Sequence, residues 1–361
     1  MKATHLLRPL ALASLLPFCT LPAGCGRGDP TSDPTAPGVE SDPHSVTPGV
    51  VLNEDFTDRQ IFPPDNWWNL EVTQAPVDPR SQELIDWISG RTPEDPDAVA
   101  RLHPDFGPPP YGMPYIGVSG TQPLEPVTFV IYPEESDPGA PGMPPGYPIP
   151  VEARELPNYI EGGVPGGGDE GDRHMLIVDR DHWLLFETWA TSWNDERQRW
   201  EAGSGAVWNL STNDRRPEGW TSADAAGLAI FPGLIKYEEA YGEEPIRHAF
   251  RFTTRATNGY VWPASHEAGD DPEAPPMGTR LRMKADVDLS AFPEPLQRLF
   301  QAMKEYGLIL ADNGTDMYIQ GTMDPRWDNE ILNPAFHSLH ADDFEVLELG
   351  WNPVSSGVTE E

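Results

Sequence analysis

The sequence predicts a mainly β fold, an antiparallel β-sandwich or jelly roll with long loops and a few short helices. Three observations point there. At least nine short runs are apolar or alternate apolar with polar, and turn residues separate them. Helical periodicity is confined to three stretches. Strand-like and helix-like runs do not alternate regularly, which argues against a doubly wound or barrel α/β architecture.

In chain order the elements read as follows. Residues 1–25 form a lipoprotein-type signal peptide: Lys2, His5 and Arg8 accompany LLRPLALASLLPF, an apolar stretch of signal-core length and too short to span a bilayer comfortably. It ends in LPAGC, whose small residues before Cys25 resemble a lipobox, so cleavage before Cys25 and lipidation of its thiol are expected. Residues 26–60 begin GRGDPTSDPTAPGVESDP, rich in proline, acid, Ser and Thr, and read as a disordered tether. Residues 61–351 are expected to make one β-sandwich domain, with 352–361 as a tail. The strand candidates are VTFVIY, HMLIVD, WLLFETW, SGAVWNL, IRHAFRFTT, GTRLRMKA, LILAD, MYIQG and FEVLELGW. Helices are expected over SQELIDWIS, over SADAAGLAIFPGLI with Ser222 as N-cap, and over PEPLQRLFQAMKEYG, which Pro293 opens and Gly307 stops.

Charge and cysteine content exclude several functions. With 24 basic and 58 acidic residues the net charge is −34, which disfavours nucleic acid and anionic membrane surfaces; membrane attachment is expected only through the lipid. The two cysteines, Cys19 and Cys25, both lie at the signal segment. The mature domain therefore has no disulfide and no thiol chemistry.

The segment GGVPGGGDEGDRHMLIVDRDHWLLFETW (residues 162–189) has its glycines before a strand rather than between strand and helix. It also lacks Gly-Lys-Ser/Thr, so it is no phosphate cradle. It allows close backbone approach to a ligand and leads to Asp172, Arg173 and His174, expected at the mouth of a cleft. Strand alternation puts Asp172, His174, Leu176 and Val178 on one face. Glu187 falls on the next strand between Leu185 and Trp189, and burial there would raise its pKa towards that of a general acid. Asp224, expected near a helix start, and Asp312, at a strand end before Asn313-Gly314, are candidates for base or nucleophile. His174, His248 and His266 complete the titratable set. No H-x-H, HExxH or paired-cysteine spacing supports a metal, and no cofactor is expected. Twelve tryptophans include Trp189, Trp220 and Trp262 in polar, glycine- or proline-rich surroundings. Such faces, with Asn313, suit sugar rings.

The segments GDRHMLIVDRD, GWTSADAAGLAIFPGL, YVWPASH and YGLILADNGTDMYIQG resemble those of a group of exported bacterial proteins mostly labelled hypothetical. The resemblance spans about Phe62 to Trp351 and implies an extracytoplasmic domain of one architecture. It carries no activity and no catalytic residue.

The sequence thus leads to an exported, lipid-anchored or secreted protein acting on a polysaccharide or oligosaccharide. A glycoside hydrolase using Glu187 as acid, with Asp224 or Asp312 as base or nucleophile, is the first expectation. A polysaccharide lyase using His248 or His266 as base, with Arg173 or Arg251 against a uronate, is the second. A non-catalytic carbohydrate-binding or envelope protein is the third.

Overall fold

The computed structural model describes residues 47–353. The signal peptide, Cys25, most of the tether and all but the start of the tail lie outside the described residues. Fourteen strands and five α-helices occur among the described residues. In order the strands are β1 (Val51–Leu52), β2 (His103–Asp105), β3 (Tyr115–Val118), β4 (Val127–Phe129), β5 (Met175–Asp179), β6 (Leu184–Trp189) and β7 (Ser192–Asn194). They continue with β8 (Arg199–Ala202), β9 (Ser204–Asn209), β10 (Phe250–Thr254), β11 (Arg280–Met283), β12 (Leu308–Asn313), β13 (Tyr318–Gln320) and β14 (Phe344–Val346). The helices are α1 (Ser81–Ile88), α2 (Glu152–Glu155), α3 (Tyr237–Tyr241), α4 (Glu294–Glu305) and α5 (Asn329–His337).

The mainly β prediction holds, and each of the nine strand candidates contributes a strand. The strands form a five-stranded sheet in the order β1-β3-β5-β6-β9, a six-stranded sheet β14-β11-β12-β10-β13-β2 and a small sheet β4-β8-β7. The β5/β6 hairpin and the β6/β9 pair are antiparallel. The pairs β3/β5, β10/β12, β13/β2 and β4/β8 are parallel. The sheets are therefore mixed, because strands brought together by long connections can pair in either sense.

Strand alternation then builds two cores. Leu176, Val178, Leu185 and Trp208 of the first sheet share a cluster with Phe250, Phe252, Leu281, Leu308, Leu310 and Ile319 of the second. Met175, Ile177 and Phe186 point the other way and pack with Tyr147, Ile149, Ile160 and Trp200. The first sheet is thus covered on both sides, which explains why β3 and β5 are buried at every position rather than at alternate ones. Helix α4 lies on β11 and buries Leu296, Leu299, Phe300 and Met303, each worth about 1.5–3 kcal/mol on transfer from water.

Three expectations change. The tether does not run to residue 60: Val51 and Leu52 form β1, Phe56 is buried in the main core and Glu54 pairs with Arg180. Phe56 in the main core, Leu52 against the second cluster and the Glu54–Arg180 pair dock this stretch. The helix expected from Ser222 does not form. Asp224 N instead donates to Ser222 Oγ at 2.9 Å, and Gly227 takes φ +70°, with Ser265 Oγ 2.1 Å from where a Cβ would stand. Only a short 3-10 turn, Phe231–Gly233, follows. Half of the twelve tryptophans are core: Trp67, Trp68, Trp183, Trp200, Trp208 and Trp327 are buried.

Candidate functional site: an acidic cluster around Arg251

Strand β10 carries an arginine between two core phenylalanines. Phe250 and Phe252 enter the apolar core, so alternation turns Arg251 to the opposite face, where it is 0% exposed. A buried guanidinium requires partners. Nη2 donates to Asp224 Oδ1 at 2.6 Å and lies 3.9 Å from Asp312 Oδ2, while Nη1 donates to Gln320 Oε1. Gln320 in turn donates to Asp105 Oδ2 at 3.3 Å.

Asp312 reaches this group through a β-bulge. Phe252 pairs with Leu310 but Thr253 pairs with Asp312, so Ala311 is the extra residue and Asp312 is moved onto the Arg251 face. Asp224 arrives on the 221–230 loop, which is fastened from several sides. Ser204 Oγ donates to Ser222 O at 2.6 Å, Ser222 Oγ to Leu228 O at 2.6 Å, and Ala226 N to Ala311 O at 3.0 Å. The His266 Nδ1 lies 2.8 Å from Ala225 O.

His174 sits just before β5 with both ring nitrogens facing acceptors. Nδ1 is 2.7 Å from Glu161 Oε2 and Nε2 is 3.1 Å from Ala223 O. Satisfying both requires a proton on each nitrogen, so the ring is an imidazolium. Burial alone would lower the His174 pKa, but the adjoining Glu161 carboxylate outweighs it and raises it to about 9. Burial pushes Glu161 up in the same way, and the His174 charge more than reverses this, leaving Glu161 below the usual carboxylate range. Burial raises Asp224 to about 7 against the pull of Arg251. Burial likewise raises Asp312, against Arg251 and His174, and Asp105, against its Gln320 hydrogen bond.

The cluster is partly open to solvent. The side chains of Asp312 and Glu161 are 26% and 22% exposed, and Asp172 is exposed. Trp189 Nε1 donates to Asp172 Oδ1 at 3.3 Å. The Tyr132 ring lies 6.5 Å from Trp189 and 6.2 Å from His266, and His266 Nε2 stands 4.0 Å from Glu135 Oε2. Asn313 donates to Ala268 O at 2.8 Å. Arg173 donates to Gly171 O at 2.7 Å. Among the described residues no group of three or more His, Cys, Asp or Glu is set to hold a metal ion.

Of the residues expected at the site, His174, Asp224 and Asp312 meet around Arg251, with Asp172, Trp189, His266, Asn313 and Arg173 nearer the surface. Glu187 does not take the acid position. It is 0% exposed, and its oxygens accept from Ile230 N at 3.0 Å, Phe231 N at 2.9 Å and Trp208 Nε1 at 3.1 Å. Burial raises it to about 7, against those hydrogen bonds, but no substrate oxygen reaches it; it anchors the end of the 221–230 loop. His248 lies elsewhere. It is 3.1 Å from Glu239 Oε2 and lines a cleft of about 680 Å³ together with Tyr115, Lys236 and Arg247, none of which belongs to the Arg251 cluster. Trp220 has Arg216 5.4 Å from its ring, and Trp262 packs against the main core.

Sequence reasoning did not find Asp105, Glu161, Gln320, Tyr132 or Glu135 as members. Glu161 and Asp105 are brought in by parallel pairing and a loop return, which leave no local pattern. The arginine on an apolar strand was the available signal for the centre. Comparison of the chain with protein-family models, with curated proteins and with solved structures gives no match.

Proposed function

We propose that the protein is an exported glycoside hydrolase that cleaves a polysaccharide with carboxyl groups of the Arg251 cluster. One observation carries this reading. Carboxyls in one partly open site are driven in opposite directions, Asp312 and Asp105 upward by burial and Glu161 downward by His174. Such separation lets one carboxyl give a proton while another stays ionised. Asp312 is the acid: it passes its proton to the departing glycosidic oxygen as the C–O bond breaks. Glu161 is the base: it takes a proton from the water that bonds to the anomeric carbon. Asp224 positions Arg251, and Trp189 with Tyr132 offers ring faces to sugar.

The test is a panel of polysaccharides assayed for new reducing ends. Asp312→Asn and Glu161→Gln should each lower turnover by about 10²–10⁴-fold, with folding checked by circular dichroism. Unchanged turnover in both variants, or no cleavage of any glycan by the parent protein, overturns the reading. A uronate lyase needs a cation free to meet the substrate carboxylate, and Arg251 is taken up by Asp224 and Gln320. Ultraviolet absorbance from an unsaturated uronate product would favour that mechanism instead.

The same proposal places the protein outside the cytoplasm on a lipidated Cys25, supported by the LPAGC stretch and the proline-rich segment after it. Cys25→Ser should move it from the membrane fraction to the soluble fraction. Retention in the membrane fraction overturns the anchor.

A further inference from the structure

Apart from the Arg251 cluster, the cleft of about 680 Å³ that His248 lines falls within the roughly 300–1,000 Å³ typical of small-molecule sites. Part of its wall carries charges that are already matched. Glu239 accepts from Lys236 Nζ at 3.3 Å and lies 3.1 Å from His248 Nε2, and Glu238 pairs with Arg326. The unmatched charges are the accessible ones. Arg247 is exposed, and alone among the described arginines it makes neither a hydrogen bond nor an ion pair. Arg59, also exposed, donates from Nη1 to Arg180 O at 2.7 Å and has its Cζ 3.4 Å from the Trp183 ring centroid, but no carboxylate pairs with it among the described residues. Such arginines stand out in a chain with 24 basic and 58 acidic residues. Asp58, Glu243 and Glu244 line the same cleft, are exposed, and likewise form no ion pair among the described residues. Charges of both signs thus share one cleft without neutralising each other. Ile61, Pro245 and Ile246 add apolar wall.

We propose that this cleft binds a short apolar peptide with free termini. Its carboxylate meets Arg247 and Arg59, because a guanidinium fork matches the two oxygens of a carboxylate. Its ammonium meets Asp58, Glu243 and Glu244, and its side chains lie on the apolar wall. Net charge decides between this ligand and a simple organic anion. An anion must approach against a charge of −34, whereas a zwitterion carries no net charge and meets no such repulsion. The site is separate from the Arg251 cluster and does not depend on the hydrolase reading.

The experiment is calorimetric titration of the intact protein with the tripeptide alanyl-leucyl-alanine, its C-terminal amide and its N-acetyl form. The free tripeptide should bind at least about fivefold tighter than either blocked form, and added salt should erode both differences. Arg247→Gln alters an exposed, unbonded side chain and should leave the melting temperature unchanged. In that variant the penalty for amidation should shrink while the penalty for acetylation persists. Glu243→Gln combined with Glu244→Gln should do the reverse. No binding of the free tripeptide, equal affinity for the amide, or an amidation penalty that survives intact in Arg247→Gln overturns the inference. Equal affinity for the acetylated form also overturns it, since the site would then recognise a plain carboxylate.

Discussion

His174 sets the pH response of the domain. Its folded pKa, about 9, lies above the ordinary value of 6.5. A group raised on folding stabilises fully below its unfolded pKa, and that stabilisation is lost as pH rises through the folded value. Asp224 and Glu187, both raised to about 7, act in the same direction between the ordinary carboxylate range and neutrality. Glu239, held to about 2 by Lys236 and His248 despite its burial, acts oppositely: its contribution is present above 4.5 and lost as pH falls towards 2. Stability should therefore peak in mild acid and decline towards pH 9, by on the order of 3 kcal/mol from His174. Urea unfolding at about pH 6 and pH 9 measures this. His174→Gln should flatten the alkaline limb, and an unchanged slope in that variant would show that the imidazolium is not the cause.

At the scale of elements, the glycine loop answers to packing. Gly167 has φ +90°, and an added Cβ would lie 2.1 Å from Thr191 O; Gly171 has φ +77° with nothing within 4 Å. Gly171→Ala should cost about 1–2 kcal/mol, the left-handed backbone penalty alone. Gly167→Ala adds a backbone clash and should cost clearly more. Thermal melts of the two variants give the comparison, and equal losses would mean that the loop moves freely off Thr191. The loop thus holds the turn after β6, where Ala190 N and Thr191 N donate to Asp172 O and Arg173 O. These contacts explain what was readable. Alternation in HMLIVD and WLLFETW gave the correct faces for Leu176, Val178 and Leu185, because period 2 is a local property. The apolar surroundings of Glu187 correctly implied burial and a raised pKa, but they could not distinguish a catalytic acid from an anchor. That difference depends on Ile230, Phe231 and Trp208, residues that reach Glu187 only through the fold. The bulge at Ala311 was equally invisible, since nothing in LILADNG marks which residue is unpaired.

Across the whole molecule, the loop between Thr221 and Phe231 is tied to both large sheets. Glu187 of β6 and Ser204 of β9 hold it from one side, and Arg251 of β10 with Ala311 of β12 holds it from the other. The sheets themselves meet across a shared apolar core. Local release of the loop would take Asp224 from Arg251 and leave Glu187 with Trp208 Nε1 as its remaining donor, so that two buried groups lose their closest partners, at a cost of several kcal/mol. An irregular segment of this kind behaves as part of the most slowly opening unit of the protein rather than as a surface loop. Its signature lies in hydrogen–deuterium exchange. The amides of Ile230 and Phe231, outside any β-ladder, should exchange as slowly as those at the centre of β5 and β10 and share their dependence on denaturant. Fast exchange there would reveal a loop that opens on its own. Slow exchange would mean that the two sheets and the acidic loop come apart in a single event, so that the geometry around Arg251 lasts as long as the fold itself.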